Sequence, residues 1–175
     1  MRKTSRRTIL LLGLAAASWA AAARAAELKK VENPAAGFSI GLPQGWRSIP
    51  LPTGLIGMAA ERNERGQPVV TLNVSQPDLA GKSFAALLEE ERARVERMSK
   101  PGDEHQLATL EHAAGPAFRT TRRTTTNSGQ VQAVQAVYLE AGGKVWLLNW
   151  VVPPSDEPDR FEELSLAVVE SFSAE

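Results

Sequence analysis

Residues 144–152 constrain the fold more than any other part of this chain. Val145, Leu147 and Val151 fall on one face of an extended segment, and Trp146, Leu148, Trp150 and Val152 fall on the other. A strand with one wet face alternates apolar with polar side chains. One that is apolar on both faces has to lie centrally and be covered on both sides. Any fold for this sequence must therefore supply two covering layers. Strands expected at 105–111, 117–126 and 130–140 lead into this segment through Gly115-Pro116, Asn127-Ser128-Gly129 and Gly142-Gly143. Those turns contain residues that tolerate positive φ, so the consecutive strands are expected to form antiparallel hairpins.

Upstream, Phe38, Ile40 and Leu42 share one face of a strand at 37–42, and Pro43-Gln44-Gly45 turns the chain into Trp46, whose ring is expected to bury. Further strands are expected at 56–61 and at 68–75. In the second of these Val70, Leu72 and Val74 alternate with Thr71, Asn73 and Ser75, the pattern of a sheet region with one wetter face. Ser83 is placed to cap a helix carrying Phe84, Leu87, Leu88, Val95 and Met98 at helical spacing. Glu89, Glu90, Glu91, Arg92, Arg94 and Glu96 read as its solvated side, and Pro101-Gly102 ends it. A second helix is expected to begin between Asp156 and Asp159. It carries Phe161, Leu164, Val168 and Phe172 on one stripe, with acidic residues in the first turns as the helix dipole favours. One helix on each face of the sheet satisfies the doubly apolar strand. The expected class is α+β: an antiparallel sheet sandwiched between two helices in three layers.

The N-terminus reads as an export signal. Arg2, Lys3, Arg6 and Arg7 precede an apolar run from Ile9 to Ala23, and Ala23-Arg24-Ala25 is an A-x-A cleavage signature. The run is short for a bilayer span, which needs roughly 20 apolar residues, and no transmembrane anchor is expected. Arg6-Arg7 followed by Thr8-Ile9-Leu10 fits the twin-arginine route, and an ordinary Sec signal with two arginines is the alternative. Residues 1–25 are thus expected to be the signal and residues 26–175 a single domain, soluble after cleavage and periplasmic or otherwise exported. The chain has no cysteine, which excludes a lipid-anchored N-terminus and a disulfide scaffold and leaves hydrophobic burial to hold the domain. The five basic residues of the signal leave with it, so 20 basic against 20 acidic becomes 15 against 20, a net charge of −5. A mildly acidic domain lacks the phosphate-neutralising charge that general nucleic-acid binding requires.

Little in the sequence points to chemistry. His105 and His112 lie near Asp103, Glu104 and Glu111, but zinc needs three or four convergent ligands and the two histidines, seven apart on a strand, point to opposite faces. They read as solvated residues at strand ends. No G-x-S-x-G elbow and no phosphate-cradling loop is present, since Gly142-Gly143 precedes a strand rather than a helix. Asn73-Val74-Ser75 matches a glycosylation sequon by chance. Two features offer an interaction surface. Arg119, Arg122 and Arg123 lie among threonines near a hairpin end, either as a charge-guarded strand or as a site for an anionic ligand or acidic partner. Leu51, Leu55 and Ile56 lie in an apolar loop that either docks to a partner or folds over the core beside Trp46.

Gly37-Phe38-Ser39-Ile40 followed by Leu42-Pro43-x-Gly45-Trp46 resembles the opening of the PsbP-like and DcrB-like proteins. The ending is similar too, with Gly143-Lys144-x-Trp146 in a strand and Phe161, Leu164 and Ser171-Phe172 in the last helix. The resemblance implies an α/β/α sandwich without catalytic apparatus, in a group that includes extrinsic subunits of membrane complexes, small periplasmic proteins and effector chaperones. It carries no functional residue over. The expected function is that of a non-enzymatic periplasmic protein, without cofactor, that binds a protein partner as an accessory or adaptor factor of an envelope assembly. The alternative is a small-molecule or lipid binder with a cleft between sheet and helix near Trp46 and Trp150.

Overall fold

Alternation along the chain sorts residues onto the two faces of a large antiparallel sheet. The structure is a computed structural model that describes residues 28–48, 57–62, 66, 68–98, 103–125, 127–155 and 161–175. The signal residues Arg6, Arg7, Ala23 and Ala25 and the loop residues Leu51, Leu55 and Ile56 lie outside the described residues. In chain order the elements are β1 (Leu28–Asn33), β2 (Phe38–Pro43), β3 (Arg47–Ser48), β4 (Gly57–Arg62), β5 (Pro68–Ser75), α1 (Phe84–Met98), β6 (Asp103–Leu110), β7 (Ala117–Thr125), β8 (Val131–Ala141), β9 (Lys144–Ser155), α2 (Glu162–Glu170) and β10 (Ser173–Ala174).

Seven strands form one sheet in the order β3-β4-β5-β9-β8-β7-β6, and the other three form a second sheet, β1-β2-β10. The one sheet expected from the sequence is therefore two. The first strand, β1, is a further element that sequence patterning missed. Its residues alternate without a strong apolar stripe, because among the described residues β1 is an edge strand paired with β2 alone. As its composition demands, β9 is the middle strand of seven, and Gly142 and Gly143 turn the chain from β8 into it with φ of 60° and 70°.

The two faces of β9 are covered unequally. Trp146, Leu148, Trp150 and Val152 are buried together with Val70, Leu72 and Val74 of β5 and with Val137 and Leu139 of β8. That face carries β2, α2 and the chain between them and the sheet: Phe38, Ile40, Leu42, Val168, Val169 and Phe172 complete the core. On the other face Leu147, Asn149 and Val151 are only half-buried. The helix on that side, α1, lies chiefly over β6 and secondarily over β7, toward one end of the sheet rather than over β9.

The residues facing the sheet from α1 follow from its spacing. Ser83 caps it, its Oγ accepting the Ala86 N–H at 3.2 Å. Phe84, Leu88, Glu91 and Val95 lie four, three and four residues apart, which places all four on one stripe. Glu91 is accordingly 7% exposed rather than on the solvated side, whereas Met98, past the last contacting turn, is 40% exposed. The second helix is shorter than expected. It spans nine residues from Glu162, with Phe161 before it making no side-chain cap.

The small sheet is tied to α2 through main-chain groups. The last strand, β10, pairs with β2 only at Ser39 and Phe38. Beyond that point Ser171 continues the ladder: its Oγ accepts the Gly41 N–H at 2.8 Å and donates to the Val168 carbonyl at 2.6 Å. Glycine is required opposite it, because a Cβ at position 41 would stand 2.9 Å from both Leu28 Cβ and Ser171 Oγ. Ser171→Ala leaves a buried donor unmet and is expected to cost about 1–3 kcal/mol, read as a drop in the denaturation midpoint with an unchanged denaturant slope.

Candidate functional site

Strand β7 carries all three arginines of the basic stretch, and its alternation separates them. Arg119 and Arg123 pair in register with Val137 and Ala133 on the core-bearing face, while Arg122 pairs with Val134 and points to the opposite face. The three do not form one patch. The two on the core-bearing face converge on the first residue of α2. Arg119 Nη1 lies 3.1 Å from Glu162 Oε1, and Arg123 Nη2 lies 3.6 Å from Oε2. One carboxylate is thus bracketed by two guanidinium groups. The Arg119 side chain is 18% exposed, that of Arg123 28% and that of Glu162 44%, so solvent screens the pairs only in part. Arg119 Nη1 makes no hydrogen bond despite the short distance, so that attraction is Coulombic.

These side chains, with Glu104, Gln106 and Thr121, line a polar hollow of about 110 Å³. It continues inward to an apolar space of about 30 Å³ beside Trp150, Val152 and Phe161. There the Gln135 side-chain amide donates to Ser165 Oγ at 2.7 Å, and Ser165 donates on to the Glu162 carbonyl at 2.8 Å. Buried Gln135 and Ser165 thereby satisfy each other and fasten α2 to β8. The cleft between sheet and helix expected near Trp150 is present, but Trp46 does not line it. Its inner space equals the share of one water molecule, and the whole falls short of the roughly 300 Å³ at which small-molecule pockets begin.

His112 has a structural role rather than a solvated one. His112 follows the end of β6, where its Nδ1 accepts the Ala114 N–H at 3.1 Å. That leaves Nε2 to carry the proton and donate to the Val169 carbonyl at 2.9 Å, closing the end of α2. His105 lies within β6, half-buried on the α1 side. Among the described residues no group of three or more His, Asp or Glu side chains could hold a metal ion.

With this geometry in view, solved structures provide the match. LpqN of Mycobacterium tuberculosis, described as involved in cell envelope biogenesis, superposes with a TM-score of 0.56 at 15% identity over 84% of this chain and 90% of its own. The cyanobacterial PsbP (CyanoP) of Synechocystis sp. PCC 6803 gives 0.55 at 13% identity over 86% and 94%. The Ran-binding protein Mog1p of Saccharomyces cerevisiae gives 0.54 at 14% over 85% and 95%. The fold is PsbP/Mog1-like. No family model matches the chain, and no curated protein matches it in sequence.

The residues that carried the PsbP-like resemblance meet in the PsbP/Mog1-like core. Phe38, Trp146 and Phe172 form a trio of rings with centroids 5.3–5.6 Å apart. Lys144 lies over the Trp146 ring at 5.9 Å, and the Trp146 Nε1–H reaches the Ala141 carbonyl at 3.2 Å. These motifs are packing motifs; Phe161 borders the apolar inner end of the arginine hollow, and no other side chain among them lines it.

Beneath α1 lies a second polar group that sequence reading missed. Glu91 faces the sheet, is ion-paired to Arg94 and lies beside the hydroxyl of Tyr138, whose ring stacks on Phe118 at 4.7 Å. The regular four-three-four spacing of Phe84, Leu88, Glu91 and Val95 was the available signal. Burial pushes the Tyr138 hydroxyl above its ordinary value of 10.0, the Glu91 carboxylate acts in the same direction, and Arg94 opposes them. The folded state thus holds this proton more tightly than the unfolded chain does. The associated stability is complete below pH 10.0 and is lost as pH rises from there through the folded value. Tyr138 is the single tyrosine, so tyrosinate absorbance reads it directly. The native midpoint is expected above that of the denatured protein, and Tyr138→Phe should flatten the alkaline loss of stability. In the arginine hollow, Glu162→Gln leaves two partly buried cations facing each other. It is expected to cost about 1 kcal/mol in chemical denaturation, with the difference from the parent shrinking at high salt.

Proposed function

We propose that this chain is an exported, non-enzymatic protein of the cell envelope that acts by binding another protein as an accessory or adaptor factor. The reading takes residues 1–25 as a signal, of twin-arginine type, and residues 26–175 as one DcrB-like domain with helices layered on both faces of the sheet. It places the mature protein in the periplasm, free of any membrane anchor. No helix among the described residues is long and apolar enough to cross a membrane.

The observation that carries the reading is the state of the sheet–helix cleft. Its inner space of about 30 Å³ has no room for a metabolite or an acyl chain, and its two arginines are already engaged by Glu162. A pocket for a small molecule or lipid is about ten times that volume, so this cleft between sheet and helix is not built as one. The fold relatives lend support from three settings: envelope biogenesis for LpqN, the PsbP protein of a cyanobacterium, and Ran binding for Mog1p. Each of these descriptions fits recognition or accessory work on a shared scaffold, and function resides in surfaces grafted onto it.

The test is affinity purification from the native envelope, with mass spectrometry of both proteins and small molecules. The expected outcome is a stoichiometric protein partner whose complex reassembles from purified components. Recovery of the chain alone, or as a monomer carrying a defined small molecule, overturns the reading.

A further inference from the structure

Strand β6 ends the seven-stranded sheet, and among the described residues β7 is its one strand neighbour. It runs for eight residues in unbroken register from Asp103 to Leu110, with no bulge and no proline. Such an edge presents a row of outward main-chain donors and acceptors. Natural sheets guard such an edge with charged side chains, proline, a bulge or a short strand. Strand β6 is charged only at Asp103 and Glu104, at one end, and its remaining six residues, 105–110, contain no lysine, arginine, carboxylate or proline. Alongside it runs an open groove of about 700 Å³, lined by five consecutive strand residues, 105–109, and by Arg92, Val95 and Glu96 of α1. Residues from both faces of β6 line the groove, so it follows the strand's edge rather than either face. The helix forms its upper wall.

We propose that this groove receives an extended segment of a partner protein, which adds to the sheet as an eighth strand beneath α1. The proposal deepens the binding reading above and rests on it. Strand addition draws affinity from main-chain hydrogen bonds and specificity from alternate side chains. Here the side chains on the α1 side of the added strand meet Val95, which is 9% exposed, and half-buried Leu107, with Arg92 and Glu96 flanking. The occupant is therefore a segment with one apolar residue at the centre and polar residues on either side of it at a spacing of two.

A second copy joined β6 to β6 is the competing occupant, and the test separates it from a partner segment by the oligomeric state of the protein.

The test uses peptides selected from a random linear display library on the purified protein, followed by amide exchange mapping and binding measurements on two variants, Gln106→Pro and Leu107→Pro. Successive N–H groups on a strand alternate between neighbour and edge, so one of these two prolines falls where the N–H points outward and keeps the sheet intact. Circular dichroism identifies it. The expected result is a consensus of period two, exchange protection within 104–110, and a loss of about tenfold or more in the folded proline variant. Protection that maps to the Arg119–Arg123 hollow, unchanged affinity in the folded variant, or a dimer that the variant abolishes overturns the proposal. A native partner that still binds the folded variant refutes the edge site while leaving the adaptor reading standing.

Discussion

The contact among Phe38, Trp146 and Phe172 holds the two sheets together. Each ring comes from a different part of the chain: β2, the middle strand β9, and the turn after α2. Aromatic pairs in such geometry contribute about 0.5–1.5 kcal/mol each beyond the area they bury. Their position matters more than that sum. A three-stranded sheet with a two-residue third strand has no independent core, so its place depends on what it rests against. The trio supplies that support, and the main-chain contacts around it fix the register. Ser171 accepts from Gly41, the Ser39 and Ser173 hydroxyls meet at 3.0 Å, and the Glu175 N–H reaches the Gly37 carbonyl at 3.0 Å.

A second line of rings, Phe84, Phe118 and Tyr138, performs the corresponding task for α1 on the opposite face. It attaches the helix at the β6–β8 side of the sheet, which explains the uneven covering of β9. On the core-bearing face the small sheet and α2 bury Trp146 and Leu148 completely. On the other, Asn73 and Asn149 lie opposite each other in the ladder, polar and half-buried, beyond the helix's main contacts. The same displacement that leaves this region wetter carries α1 out over β6 and makes a groove there.

Sequence periodicity revealed much of this and missed the rest for identifiable reasons. The central strand, the glycine hairpins, the Ser83 cap and the positions of β4 to β9 follow from local preferences that tertiary packing reinforces. The strand β1 was missed because an edge strand needs no apolar stripe. Glu91 was misassigned because residue type was weighed above helical spacing. The arginine stretch read as one patch in the sequence, yet strand alternation divides it between two faces, and Glu162, 39 positions beyond Arg123, pairs with the two arginines of one face. His112 could not be placed from sequence because its partner, the Val169 carbonyl, is 57 residues away. Long-range pairing of polar groups leaves no periodic trace.

The chain's charged groups near the sheet are largely spent on internal contacts. Glu162 occupies Arg119 and Arg123, Glu91 occupies Arg94, and Glu89 occupies Arg92. Side chains paired in this way contribute less to long-range steering and to discrimination by charge than free ones do. Shape and main-chain hydrogen bonding, which salt screens little, are the complementary resources. In this architecture those resources coincide at the β6 edge, where regular backbone and residues of α1 line one groove.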